Sequence, residues 1–262
     1  MAYLFSVTLV VLVWLAIVYL NERHGLLSCD HFSSAGAKYF AYAWIGAFLI
    51  LMAVLVTASA LSPPTSKELA KTPFYSLFGL HLILIVFLLG WWLASGRPAL
   101  REFLNVRHER PGEVVAIGVA VGVGGWILTI VAALVVALLL KSAGVLEEAP
   151  QPPPMIGWMA ALPIWKKALI VLSAMTVEEA FFRSFLQKRI GLLASTILFA
   201  LAHFTYGNPL LLIGVTVISL IIGVTFYRTK NVIPGVIAHG VFDAIQLFVI
   251  VPFAFRLMGA GG

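Results

Sequence analysis

The chain has 262 residues, of which 61% are hydrophobic and only 11% are charged. Soluble globular domains carry roughly 25% charged residues, so this composition excludes a water-soluble domain of comparable size. The formal net charge of +6 does not indicate a nucleic-acid partner, because the Lys and Arg residues lie mostly between apolar segments, where they meet lipid headgroups. We therefore expect an integral, multi-pass membrane protein that is surrounded by membrane lipids and binds no nucleic acid.

Eight apolar segments along the chain are long enough to cross a bilayer as helices. The first is typical of a retained transmembrane helix rather than a signal peptide, since no basic residues precede its long apolar run. The sequence predicts an all-α fold, a polytopic membrane helix bundle with about eight transmembrane helices in a single integral membrane domain, 1–262. The segments are 1–20, 40–61, 74–95, 114–140, 165–187, 191–207, 209–227 and 231–256.

Basic residues are distributed unevenly among the loops that join these segments. If the N-terminus lies outside the cell, ten Lys and Arg residues fall on the cytoplasmic side and six on the outer side. Cytoplasmic loops of membrane proteins carry an excess of Lys and Arg. The distribution therefore favours a topology in which both termini lie outside.

Four charged residues and two histidines lie inside the later segments, although a charge near the bilayer centre costs about 2.5–3.5 kcal/mol on insertion scales. At 1.5 Å per helical residue, four of them lie about 12–18 Å from the segment ends: Glu178, His203, His239 and Asp243. Those ends lie on one side of the membrane, so the polar side chains are predicted to converge in one layer. The six residues are Glu178, Glu179, Arg183, His203, His239 and Asp243.

Helical spacing divides these residues into groups. Glu179 and Arg183 are spaced i, i+4 with the acid first, which favours a helical ion pair. His239 and Asp243 share one face of their helix. Glu178 points about 100° away from Glu179 and does not share the Arg183 face. We expect Glu179 and Arg183 to order the site or to form a structural ion pair, and Glu178 to have a separate role.

Hydrolysis of an amide needs a base that activates water and a donor that stabilises the developing oxyanion. Glu178 with His203 can activate water, and His239 with Asp243 can provide the oxyanion side. Zinc held by His203, His239 and Glu178 is the alternative, with one coordination position left open. Because the sequence contains no His-Glu-x-x-His motif, the spacing does not require a metal, and we expect no cofactor.

Two further features of the segments concern packing. His81, in the third segment, has no motif around it, so we expect it to make interhelical contacts rather than to take part in catalysis. The fourth segment carries small residues that let helix backbones approach closely in lipid. These residues are Gly118, Gly122, Gly124 and Gly125.

Three motifs on successive helices resemble those of the CPBP family of intramembrane proteases, which includes type II CAAX prenyl endopeptidases and bacteriocin-processing or self-immunity (Abi) proteins. The resemblance covers about residues 165–250, the expected catalytic core. It implies an eight-helix bundle in a bacterial or archaeal cell membrane, with a cavity open toward the cytoplasm. The motifs read Glu178-Glu179-x-x-x-Arg183, Phe199-x-x-x-His203 and His239-x-x-x-Asp243.

The resemblance also implies roles for these side chains. Glu178 and His203 would activate water without a metal, His239 and Asp243 would stabilise the oxyanion, and the ion pair would order the site. The prenyl endopeptidases carry Asn at the position that matches Asp243, and an ionised Asp cannot donate to an oxyanion. Asp243 would have to be protonated or would instead orient His239. This departure from the family pattern weakens the expectation of a CAAX substrate more than the expectation of the fold.

Two classes of function remain open. The first is an intramembrane endopeptidase that cleaves a membrane-associated peptide or lipidated protein, with a prenylated CAAX-type protein as one candidate, through glutamate-activated water. The second is a non-catalytic membrane scaffold, immunity protein or transporter on the same fold, which the departure at Asp243 and the use of intramembrane acids in proton relays favour. A proton carrier would spread its acids across the membrane, whereas these acids cluster in one layer, which favours the enzyme.

Overall fold

Long apolar helices make up almost all of the chain in its computed structural model, which describes residues 1–25, 27, 30–107, 110–145, 153–204 and 208–257. These residues contain no β-strand. Seven helices within them are long and apolar enough to cross a membrane. The predicted all-α, polytopic helix bundle is therefore confirmed.

The helices of the bundle begin and end close to the predicted segment limits. Those that carry the fold are α1 (Ala2–His24), α2 (Ala35–Leu61), α3 (Gly79–Ala94, preceded by a 3₁₀ turn Phe74–Phe78), α4 (Pro111–Ser142), α5 (Ile164–Glu179, continued by a π-helix Ala180–Gln187), α6 (Lys188–Ala202), α7 (Pro209–Thr229) and α8 (Ile233–Ala244, continued by a π-helix Ile245–Ile250 and an α-helix Val251–Leu257). Short helices in the connecting segments span Ser66–Lys71, Leu100–Phe103 and Pro154–Ala160.

One of the seven long helical stretches, Ile164–Ala202, contains a reversal of the chain. Gly191 has φ 83° and ψ 173°, a conformation that favours glycine and ends the helix. Ser195 Oγ donates to the carbonyl oxygen of Phe182 over 2.7 Å, and the rings of Phe182 and Phe199 lie 4.8 Å apart. A straight helix would separate these two rings by about 25 Å. The stretch is therefore a hairpin of α5 and α6, and it accounts for two of the eight predicted segments.

The connection between α6 and α7 is short. The sequence predicts the sixth segment to reach residue 207, but α6 ends at Ala202 and His203 is its C-terminal cap. Residues 205–207 lie outside the described chain. Asn208 caps α7, because its Oδ1 accepts from the backbone N–H of Leu210 over 3.0 Å, and Pro209 occupies the first helical position, where no N–H is needed. The cap and the proline start α7 at once, and α7 packs beside α6.

Glycines of α4 lie where this helix packs against α7 and α8. A Cβ at Gly118 or Gly125 would lie 2.6 Å from an isoleucine side chain of α8 or α7, and one at Gly122 would lie 2.7 Å from the carbonyl oxygen of Ala238. The predicted close approach is confirmed at these three positions. The prediction is wrong for Gly124, because nothing lies within 4 Å of the place its Cβ would take.

Aromatic side chains join α3 to α5. The ring of Phe185 lies 5.1 Å from the rings of both Phe87 and Trp91, in edge-to-face geometry. Phe181 adds a further edge-to-face contact with Phe87, at 5.7 Å. Such pairs contribute about 0.5–1.5 kcal/mol beyond their buried area and also restrict orientation. The packing therefore fixes α3 against the helix that carries the two candidate glutamates.

Connecting segments at one end of the bundle contact one another. The backbone N–H of Val232, before α8, donates to the carbonyl oxygen of Asn105, in the α3–α4 connection, over 3.0 Å. Arg189, before the Gly191 turn, forms an ion pair with Asp30, in the α1–α2 connection. The connections that the topology prediction assigns to one side of the membrane therefore lie at one end of the molecule, and the cytoplasmic orientation of this end stays a prediction.

Candidate active site

Two adjacent glutamates of α5 face different neighbours. Glu178 contacts His81 of α3 and lies near His203 at the end of α6. Glu179 contacts Arg183 of its own helix and His239 of α8. Because an α-helix turns by 100° per residue, neighbouring side chains enter separate spaces. The separation that the spacing predicts is present, and the roles of the residues stay predictions.

The first group of polar side chains surrounds Glu178, and we call it the Glu178 cluster: Glu178, His81, Ser173 and His203. Oε1 of Glu178 lies 3.2 Å from Nε2 of His81, whose Nδ1 lies 2.7 Å from Oγ of Ser173. Oε2 of Glu178 lies 4.0 Å from Nε2 of His203. The side chain of Glu178 is 13% exposed and that of His203 is 17% exposed, so the cluster is mostly buried without being sealed.

The tautomer of His203 follows from its backbone contact. Nδ1 of His203 lies 2.8 Å from the carbonyl oxygen of Phe199. A carbonyl oxygen can only accept, so Nδ1 carries the proton, and Nε2 of the neutral ring is the acceptor nitrogen. That nitrogen faces Oε2 of Glu178, which is buried and has no hydrogen-bond partner among the described residues. In the neutral form of the ring, the two atoms are both acceptors, 4.0 Å apart, and a water molecule can donate to both.

The second group, the Glu179 cluster, consists of Glu179, Arg183, Ser219, His239 and Asp243. Arg183 Nε donates to Oε2 of Glu179 over 2.9 Å, and Nδ1 of His239 lies 2.9 Å from Oε1. Arg183 Nη2 donates to Oγ of Ser219 over 3.1 Å. The side chains of Glu179 and Arg183 are completely buried. The predicted ion pair is therefore confirmed, and both oxygens of this carboxylate have partners.

His239 lies between two carboxylates. Its Nε2 is 3.4 Å from Oδ2 of Asp243, a longer contact than the one Nδ1 makes with Glu179. The side chain of Asp243 is 25% exposed, whereas that of His239 is 8% exposed. The imidazole is therefore held more closely at Nδ1 than at Nε2. Both roles left open for Asp243, donation to an oxyanion by a protonated carboxyl group and orientation of the imidazole ring, stay predictions.

The backbone changes its winding next to both acidic motifs. The π-helix Ala180–Gln187 begins directly after Glu179, and the π-helix Ile245–Ile250 begins two residues after Asp243. Short π-helical turns inside α-helices are frequent at functional sites. In α5 and α8, they lie at the level of the two clusters.

Sequence reasoning missed the contributions of three polar side chains. The interhelical contact predicted for His81 is confirmed, because this residue joins α3 to α5; its partner there, Glu178, was not predicted. Ser173 and Ser219 received no role from the sequence. His81 is separated from Glu178 by 97 residues and has no local motif, so only the fold reveals the contact.

The structure also bears on the zinc alternative. That alternative needs His203, His239 and Glu178 around one ion, whereas His239 contacts Glu179 and Asp243. Within the described part of the chain, no group of three or more His, Cys, Asp or Glu side chains has an arrangement that could hold a metal ion.

Comparison with known proteins points to the same segment of the chain. Residues 160–245 match the family model described as type II CAAX prenyl endopeptidase Rce1-like. This segment is similar to that family, and we call it the Rce1-like domain. The family resemblance inferred from the three motifs is thereby confirmed. The Rce1-like domain contains all six predicted site residues, whereas His81 lies outside it.

Part of the chain also resembles a bacterial protein. A stretch of 69 residues is 41% identical to the uncharacterized protein YpbD of Bacillus subtilis (strain 168). The stretch covers 26% of this chain and 36% of YpbD, so the chain matches about a third of the length of this curated relative. No solved structure matches the chain. The Rce1-like domain and the long apolar helices together support the fold of a CAAX-type intramembrane protease in a multi-pass membrane protein.

Proposed function

We propose that the protein is an intramembrane endopeptidase that hydrolyses a peptide bond through a water molecule activated by Glu178. One observation carries the proposal: Oε2 of Glu178 is buried, has no hydrogen-bond partner among the described residues, and faces the acceptor nitrogen of His203 at 4.0 Å. Carboxylates inside a membrane are costly and are usually functional. A general base needs an oxygen that can bond to the water it deprotonates.

The chemical steps follow from this arrangement. A water molecule donates one hydrogen bond to Oε2 of Glu178 and one to Nε2 of His203, which directs an oxygen lone pair toward the substrate. The water oxygen bonds to the carbonyl carbon while Glu178 takes the proton, and the carbonyl oxygen becomes an oxyanion. The C–N bond then breaks, and the proton passes from Glu178 to the leaving amine. The carboxylate is thereby restored.

The Glu179 cluster supplies the oxyanion side in this proposal. Glu179 holds Nδ1 of His239 over 2.9 Å, which fixes the ring and directs Nε2 away from α5. Asp243 orients the same ring from its other side. Because both ring nitrogens face carboxylates, the ring in this proposal is an imidazolium with a proton on each nitrogen, and its Nε2–H donates to the oxyanion as it forms. Removal of a single oxyanion donor typically lowers kcat by about 10²- to 10³-fold.

A membrane-embedded peptide or lipidated protein fits this site as a substrate. The clusters are formed by side chains of the long apolar helices α3, α5, α7 and α8 and by His203 at the end of α6, so the scissile bond has to reach a layer inside the membrane. The description of the matching family names prenyl endopeptidases. A prenylated CAAX-type peptide is therefore the first substrate to test.

Peptide cleavage by the purified, detergent-solubilised protein tests the proposal. We would use a quenched-fluorescence peptide library that includes prenylated CAAX peptides, with Glu178→Gln and His203→Ala beside the wild type. Thr225→Val is a matched control, because its hydroxyl bonds the Ile221 carbonyl of its own helix rather than a side chain of either cluster. We expect cleavage by the wild type and the control, no cleavage by the two site variants, and no effect of a chelator. Cleavage by both site variants would overturn the proposal, and inhibition by the chelator would favour zinc.

A non-catalytic membrane scaffold, immunity protein or transporter is the second candidate. It is favoured by Asp243, which occupies the position of Asn in the prenyl endopeptidases and contacts His239. Under this alternative, the two clusters hold the helices together or carry protons. A Glu178→Gln variant that lacks protease activity but protects host cells or transports at the wild-type level would support this alternative over the endopeptidase.

A further inference from the structure

We propose that His81 is a positioning residue for Glu178, and that Ser173 in turn fixes the tautomer of His81. Together they would hold Oε1 of Glu178 so that Oε2 remains directed at the reacting water and at His203. The proposal deepens the function proposed above and rests on it. It adds a contribution from α3, which lies outside the Rce1-like domain.

The direction of each hydrogen bond follows from the groups involved. A carboxylate oxygen only accepts, so Nε2 of His81 donates to Oε1 of Glu178 over 3.2 Å. In a neutral imidazole, the other nitrogen is then an acceptor. Nδ1 of His81 lies 2.7 Å from Oγ of Ser173, so the serine hydroxyl donates to it. The three residues form one chain of hydrogen bonds from Ser173 through His81 to Glu178.

The two oxygens of Glu178 are therefore not equivalent. Oε1 is bonded to His81, whereas Oε2 has no hydrogen-bond partner among the described residues. The terminal torsion of a glutamate is broad and roughly two-fold, so an unanchored carboxylate could exchange its oxygens and change its tilt. Anchoring of Oε1 leaves Oε2 as the one basic oxygen and fixes its direction. A misplacement of about 1 Å in such a group can cost up to about 100-fold in rate.

A packing role for His81 is the competing explanation, and it predicts different behaviour. A packing residue contributes to stability, and its loss lowers the thermal midpoint. A positioning residue acts on kcat through Glu178 and can be replaced by any side chain that donates from the same place. Gln is such a side chain, because its amide nitrogen lies about as far from Cβ as Nε2 of histidine does. Leu fills a similar volume but has no donor.

Kinetics of paired variants separate these explanations. We expect His81→Leu to lower kcat by about 10- to 100-fold with little change in KM or in the thermal midpoint. His81→Gln should recover kcat to within about threefold of the wild type, because the donor to Oε1 is restored. Ser173→Ala should fall between these two. Thr176→Val is its matched control on the same helix, because the Thr176 hydroxyl bonds the backbone carbonyls of Leu172 and Ser173 and not the His81 ring, and it should retain the wild-type kcat.

The ring tautomer of His81 provides a readout that needs no substrate. Nitrogen-15 NMR of the histidine-labelled protein in lipid, with the signal assigned by its loss in His81→Gln, should show a neutral ring protonated on Nε2. Ser173→Ala should give a mixture of tautomers, whereas Thr176→Val should leave the signal unchanged. A wild-type ring protonated on Nδ1, or present as a mixture, would overturn the proposal even if no tested peptide is cleaved.

Glu178→Gln, measured in parallel, distinguishes the failure of this inference from the failure of the proposed function. Retained cleavage in Glu178→Gln would refute the glutamate mechanism itself. Loss of cleavage in Glu178→Gln together with a wild-type kcat in His81→Leu would refute only the role of His81. Equal losses in His81→Leu and His81→Gln, with lowered thermal midpoints, would assign His81 to packing.

Discussion

Glu178 and Glu179 are neighbouring residues of one helix, but their carboxylates differ in hydrogen bonding and in burial. Both oxygens of Glu179 are bonded, to Arg183 and to His239, and its side chain is completely buried. Glu178 has one bonded oxygen and one without a partner among the described residues, and its side chain is 13% exposed. The residue type therefore does not decide the role; the neighbours on α3, α6 and α8 do.

The difference has a physical consequence for stability and reactivity. A buried charge is tolerated when a partner of opposite charge and further hydrogen bonds compensate for its lost hydration. Glu179 meets this condition, and its bonded oxygens have no capacity left for a reacting water. Glu178 meets it only in part, and a buried acceptor without a partner costs about 1–3 kcal/mol. Proteins commonly retain such a cost where activity requires it.

The largest expected effect is on activity and comes from Glu178→Gln. The amide keeps the size of the side chain but cannot accept a proton from water, so we expect cleavage to fall by about 10²- to 10⁴-fold. The thermal midpoint should stay the same or rise, because a partly unpaired charge is removed. Single-turnover cleavage and thermal unfolding of the same preparation measure both. A clear fall in the midpoint would place Glu178 with Glu179 as a structural acid.

Glu179→Gln should show the opposite pattern, with stability as the main loss. The substitution leaves Arg183 and His239 buried without their shared counter-charge, and removal of one partner of a buried pair costs about 3–5 kcal/mol. Unfolding of the purified protein in mixed micelles measures the change in free energy. The double variant Glu179→Gln/Arg183→Met should recover part of the loss, since the uncompensated guanidinium is also removed. A single variant as stable as the wild type would contradict this assignment.

These contrasts also show what the sequence could predict. Helical spacing alone separates Glu178 from Glu179 and pairs the latter with Arg183, because these relations lie within one turn of a helix. The hairpin of α5 and α6 was predictable from its apolar segments and the glycine between them. The prediction that the polar side chains converge in one layer used only the order of the segments and the depth of each residue within its own segment.

Contacts between distant helices were not predictable from one sequence. His81 reaches Glu178 because aromatic packing fixes α3 against α5, and no residue near His81 signals that partner. His239 was expected beside the oxyanion, but its contact with Glu179 depends on how α8 lies against α5. The glycines of α4 correctly predicted that neighbouring helices pack closely against it, but the sequence did not show that Gly124 faces away from them. Such details depend on helix rotation, which the apolar pattern of a lipid-exposed helix leaves undetermined.

Gly122→Ala is expected to disturb the Glu179 cluster from outside. The new Cβ would lie 2.7 Å from the carbonyl oxygen of Ala238, next to His239, so α8 would have to move away from α4. Overpacking of this kind costs about 1–3 kcal/mol. Gly124→Ala is the matched control, because nothing lies within 4 Å of its Cβ position. Thermal unfolding of both should show a loss only for Gly122→Ala, and equal midpoints would mean that α8 accommodates the methyl group.

Asp243→Asn should have the smallest effect, and it tests whether Asp243 only orients His239 or takes part in the reaction itself. Asp243 contacts His239 at 3.4 Å and is 25% exposed, and ion pairs with solvent access contribute about 0–1 kcal/mol. The amide can still contact the imidazole and can also donate to an oxyanion, so we expect kcat/KM within about tenfold of the wild type. Asp243→Ala, which removes both abilities, should lose more. If Asp243→Asn instead abolishes cleavage, the carboxylate charge of Asp243 is required for the reaction. Asp243 would then be a second functional acid alongside Glu178, and not a group that only orients His239 within the Glu179 cluster.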